Sequence, residues 1–191
     1  MKKLNLVIFL LFTIPGISQV KDSSSLVQPK TEIGKFDVKI GTIIKKEFVN
    51  LYTYEPKGFI SKFSPMKAEA LNITDAASGI MISGLRISNS YAAFVDVDEI
   101  HGLLKFIEFL EKNESEKPEN YTEYEYNFKD FEVAAYYSND LFKKNPPIWH
   151  YIIKTSFYSA SRSEVELKTL TELKDAILKS KDKFKQAIPN Y

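Results

Sequence analysis

Only two stretches of this chain carry apolar residues at helical spacing, and that scarcity limits its fold more than any other feature. In the first, Ile100, Leu103, Leu104, Ile107 and Leu110 mark one face, while His101, Lys105, Glu108 and Lys112 fall opposite. Asp96 in the cap position and Glu99 three residues on make a capping box for it. Pro118, in the charged stretch 111–119, blocks its continuation. The second is predicted to start at a Thr169 cap with Glu172 as box partner, its buried side marked by Leu173, Ala176, Ile177 and Phe184. Lys179, Lys181, Lys183 and Lys185 gather in its last turns, where positive charge suits the helix dipole.

The rest of the ordered chain reads as strands. Residues 36–54 are rich in β-formers and are predicted to hold two strands, with Gly41 a bend or bulge in the first. A loop over 55–66 follows, and residues 70–74 and 80–87 then make a hairpin around Gly79. Residues 92–95 form a short strand leading into the first helix. Strands over 121–126, 131–138, 149–157 and 165–167 precede the second. Parallel βαβ units need a helix after nearly every strand, so antiparallel pairing is expected. The expected fold class is α+β: a twisted antiparallel sheet of about seven or eight strands with two amphipathic helices. Aligning Asp96–Ile100 with Thr169–Leu173, an offset of 73, makes the chain a candidate duplicated four-strand-plus-helix unit. Its halves would be 36–113 and 120–187 of one domain, 36–187.

The first residues point to export. Lys2 and Lys3 precede an apolar run from Leu4 to Ile14, and Gly16 and Ser18 are small residues suited to a cut before Gln19. The run is shorter than the ~20 residues a membrane helix needs. A signal peptide over 1–18 and a flexible lead over 19–35 are therefore expected, with no membrane span after cleavage. The chain has no cysteine, which excludes a lipid-anchored product, disulfides, thiolate metal sites and cysteine nucleophiles. A freely soluble periplasmic or secreted bacterial protein follows. Without Lys2 and Lys3 the balance is 24 basic to 25 acidic residues, so charge argues for neither nucleic acid nor an anionic membrane as partner.

Two resemblances stand beside this reading. The signal ending Gly16-Ile17-Ser18-Gln19, the segment Ile80-Met81-Ile82-Ser83-Gly84-Leu85-Arg86, and Val95-Asp96-Val97-Asp98-Glu99-Ile100 resemble a family of uncharacterised exported proteins of Bacteroidetes-type bacteria. That resemblance implies an origin and a compartment but no activity. The element order, four strands then a helix, twice, resembles the fold shared by the PC4 coactivator and the plant Whirly proteins, which bind single-stranded nucleic acid. No basic, aromatic-interleaved stripe accompanies it here, and nucleic-acid binding is not expected.

The residues able to carry chemistry are few. His101 falls on a solvent-facing helix side and His150 in a strand beside Trp149, so no histidine-based catalytic or zinc site is expected. Asp96, Asp98 and Glu99 are the densest acidic group, but they lack the loop of a calcium-binding hand, and capping accounts for two of them. Neither metal nor cofactor is expected. The candidate binding face is aromatic: Tyr124, Tyr126, Tyr136, Trp149 and Tyr151, in strands where alternation puts Glu123 and Glu125 opposite Tyr124 and Tyr126. Such rings serve either as a contact surface or as cross-strand packing. The expected function is a non-catalytic exported binding or structural module, its partner an envelope protein or a glycan. The alternative is a small exported hydrolase using paired carboxylates.

Overall fold

A computed structural model describes residues 28–37, 39–57, 63, 65–74, 76–86, 89–138, 146–155 and 162–180. The signal region, most of the lead, and the lysines beyond Lys179 lie outside them. The elements run α1 (Glu32–Asp37), β1 (Lys46–Tyr54), β2 (Met66–Ile73), β3 (Ala77–Arg86), β4 (Asn89–Asp96), α2 (Val97–Asn113), β5 (Thr122–Asn127), β6 (Phe131–Ser138), β7 (Ile148–Thr155), β8 (Arg162–Val165) and α3 (Leu167–Lys179). The class is α+β with every strand pair antiparallel. The strands divide into two four-stranded meanders, β1-β2-β3-β4 and β5-β6-β7-β8, each followed by its helix.

The halves correspond side chain by side chain. Met66, Ala68 and Ala70 on β2 hold the places of Phe131, Val133 and Ala135 on β6, and Ile80 and Ile82 on β3 those of Tyr151 and Ile153 on β7. Ala93 and Val95 correspond to Ser163 and Val165, and all these residues are buried. In the helices Ile100, Leu103 and Ile107 match Leu170, Leu173 and Ile177, at an offset of 70 and not 73. The helix cap is the reason. The N-cap of α3 is Glu166, so Thr169 lies within the first turn, where it is buried, and does not start the helix.

The packing is crosswise. Helix α3 rests on β1, where the Tyr52 hydroxyl donates to Glu172 Oε2 at 2.9 Å. Helix α2 presents Phe106 and Phe109 to Tyr126 and Tyr124 of β5, with ring centroids 5.5 and 4.9 Å apart. Tyr52 faces Ala68 as Tyr126 faces Val133, and Glu172 stands 70 residues after Gly102. A Cβ on Gly102 would come 2.5 Å from the Tyr126 hydroxyl oxygen. Each half thus sets its first-strand tyrosine against the other half's helix: one finds a carboxylate, the other the space of a glycine. The inner faces of both sheets and the buried stripes of α2 and α3 form one core.

The ordered fold begins before Phe36, which corrects the flexible lead. Thr31 and Ile33 are fully buried, and Phe36 and Ile33 pack with Leu71, Ile73 and Phe94 on the outer face of the first sheet. Nor do the described residues of 36–44 form a strand. The β-forming Ile40 and Ile43 are exposed, and Gly41, at φ 75°, takes a turn there.

Candidate functional site

Sheet pairing decides which aromatic side chains share a face. Tyr124 pairs with Ala135 and Ala135 with Tyr151, while Tyr137 pairs with Trp149; these point inward with Tyr126. Tyr136 lies on the opposite, outer face, so the five candidate residues do not form one surface. There its ring stacks on His150 at 4.9 Å and carries the Arg162 guanidinium at 5.1 Å on a line to its centroid. Tyr126 packs between Phe106 and Phe128, a role in the core margin.

Three of the five gather at the C-terminal end of α2. Trp149 and Tyr151 line an open hollow of about 260 Å³ with Tyr137, Ile148, Pro147, Glu114, Glu116 and Lys117. Tyr124 stacks on Trp149 from outside the lining, with centroids 5.1 Å apart and planes 16° off parallel. Trp149 meets the buried Tyr137 at 54° with ring centroids 5.3 Å apart. Glu116 braces the wall: its carbonyl oxygen accepts the indole N–H of Trp149 at 2.9 Å, and its carboxylate accepts the Tyr124 hydroxyl at 2.8 Å. That hydrogen bond holds the Tyr124 phenol above its ordinary range. Burial, and then the charge of Glu114, push the Tyr151 phenol far above it. Glu114 and Glu116 were not singled out from the sequence as site residues; they belong to a charged link whose visible role was to end a helix.

The acidic group has a different use. Asp96, Asp98 and Glu99 present oxygens within 4.8 Å of one another, but the Lys129 ammonium lies 2.9 Å from Asp96 and 3.0 Å from Asp98. Burial alone would make that lysine give up its proton more easily, and the two aspartates more than reverse this, raising its pKa above the ordinary value. The Asp96 carboxylate also accepts the backbone N–H groups of Glu32 and Ile33 at 2.9 and 3.3 Å. Glu99 accepts those of Lys129 and Asp96 at 2.7 and 3.1 Å, and burial still holds its carboxyl above the ordinary value. A lysine and four peptide groups occupy this cluster, which makes it a junction of the fold. Asp130, nearby and buried, accepts the N–H groups of Lys30 and Thr31, each at 2.8 Å, and the Thr31 hydroxyl.

The histidines stay apart. His101 is exposed on α2, while His150 Nδ1 lies 3.1 Å from Glu164 and its buried Nε2 has no partner. No helix among the described residues is long and apolar enough to cross a membrane. The fold is thus a duplicated α+β unit with an aromatic hollow at one end. No family model, curated protein or solved structure compared with the chain matches it.

Proposed function

We propose that this is a non-catalytic binding module, exported through its N-terminal segment, that seats a small ligand group in the hollow beside Trp149. The observation that carries the reading is the hollow walled by the half-buried Trp149, whose indole is held by the Glu116 carbonyl, with the buried Tyr137 and Tyr151 also in its lining. The volume, about 260 Å³, lies just under the ~300–1,000 Å³ typical of small-molecule sites, which suits a head group more than a whole ligand. A hydrolase built on Glu114 and Glu116 is the weaker reading, because the Glu116 carboxylate is engaged by Tyr124 in holding the wall.

Trp149 is the chain's single tryptophan, so its emission reports this site without labelling. Titration with choline, 3,3-dimethyl-1-butanol and chitotriose should give a saturable change for at least one probe. Silence from all three, in protein whose circular dichroism shows it folded, would remove the binding reading. Export has its own check: protein recovered outside the cytoplasm of a bacterial host should begin at Gln19.

A further inference from the structure

We infer that the hollow selects an ammonium group, whether of a small amine or of a lysine side chain; this rests on the binding reading above. Aromatic and acidic residues make up most of its lining. The half-buried Trp149 supplies an aromatic ring, and two carboxylates stand in the lining against one ammonium, that of Lys117. Two hydrogen-bond donors beside the hollow are already engaged. The indole N–H of Trp149 goes to the Glu116 carbonyl, and the hydroxyl of Tyr124 to the Glu116 carboxylate.

A sugar needs donors and acceptors arrayed around a flat ring platform, whereas an anion needs donors or positive charge. This site offers acceptors, ring faces and negative potential, the combination that holds a cation over aromatic rings. Glu114, exposed at the end of α2, is placed to add charge without being desolvated itself.

Choline and its uncharged isostere 3,3-dimethyl-1-butanol separate charge from shape. By Trp149 emission, choline should bind about tenfold more tightly, and its affinity should fall as salt rises. Glu114→Gln, a change on an exposed residue, should weaken choline about threefold and leave the isostere unaffected, as expected for one screened charge. Nα-acetyl-lysine methylamide, titrated alongside, distinguishes the sources: tighter binding than choline assigns the site to a peptide lysine, weaker binding to a small amine, and both support an ammonium seat. The isostere binding within about twofold of choline would overturn the inference while leaving an apolar seat, and the binding reading, intact. A response to chitotriose alone would do the same. Silence from every probe would overturn both.

Discussion

Gly79 shows how one residue can set a layer spacing. It sits on β3 under Ile33, and a Cβ built on it would lie 2.6 Å from that side chain's Cδ1 and against the Val95 carbonyl oxygen. Ile33 is fully buried, and the carbonyl belongs to the neighbouring strand β4, so neither neighbour can yield cheaply. Gly79→Ala should therefore destabilise the fold by about 1–3 kcal/mol, the range for overpacking a filled core. In urea the midpoint should fall with the slope unchanged. An unchanged midpoint would mean that α1 is not seated tightly on this sheet. Asp130 works at the same scale by hydrogen bonding. Asp130→Ala strands the buried backbone N–H of Thr31 and frees the part-buried one of Lys30, at a cost of about 1–3 kcal/mol. Hydrogen exchange at those two amides should speed up more than exchange in α2; an equal change at both would sink the idea of a local anchor.

At the scale of elements, α2 and α3 differ in how openly their starts are written. Asp96 and Glu99 form the capping box that their spacing promises. Thr169 and Glu172 have the same spacing, but Leu167 and Leu170 are both buried, so the apolar rhythm of α3 begins before the imitation box. Reading that rhythm backward from Leu173 would have reached the true start. Helix α1 left no such trace, because Asp96 and Asp130, remote in sequence, hold its first turn in place. The aromatic hollow was half legible for the same reason: alternation marks Trp149 and Tyr151, whereas Glu114 and Glu116 matter only once the chain has folded back beside them.

The two helices are also joined by Glu111 of α2 and Lys174 of α3. Burial raises the Glu111 carboxyl, but hydrogen bonds from Lys174 and Thr171, with the charge of Lys174, bring it below its ordinary 4.5. A carboxyl that holds its proton less firmly when folded adds stability above pH 4.5, which is lost as pH falls through the lowered folded value. Glu111→Gln should cost about 1 kcal/mol at pH 7. The gap to the parent should close below pH 4.5 in urea midpoints taken across the acid range. A gap of constant size would show that packing, and not ionisation, joins the helices at this point.

For the molecule as a whole, crosswise packing carries the largest consequence. Tyr52 of the first half meets Glu172 of the second, and Tyr124 and Tyr126 of the second meet Phe109 and Phe106 of the first. Asp96 and Asp130, one from each half, grip the same short helix. Separating the halves would expose the inner face of each sheet together with the buried stripe of each helix, since all four contribute to one core. Apolar burial at roughly 25 cal/mol per Å² makes so large an exposure incompatible with a stable isolated half. The chain should therefore unfold in a single step despite its internal duplication. Trp149 emission reads the second half alone, and hydrogen exchange at Ile80 and Ile82 reads the core of the first. Followed together through urea, the two signals should share one midpoint. Separated midpoints would mean that each four-strand unit keeps its own stability, and that the exchange of helices between sheets is a surface contact added to two folded halves.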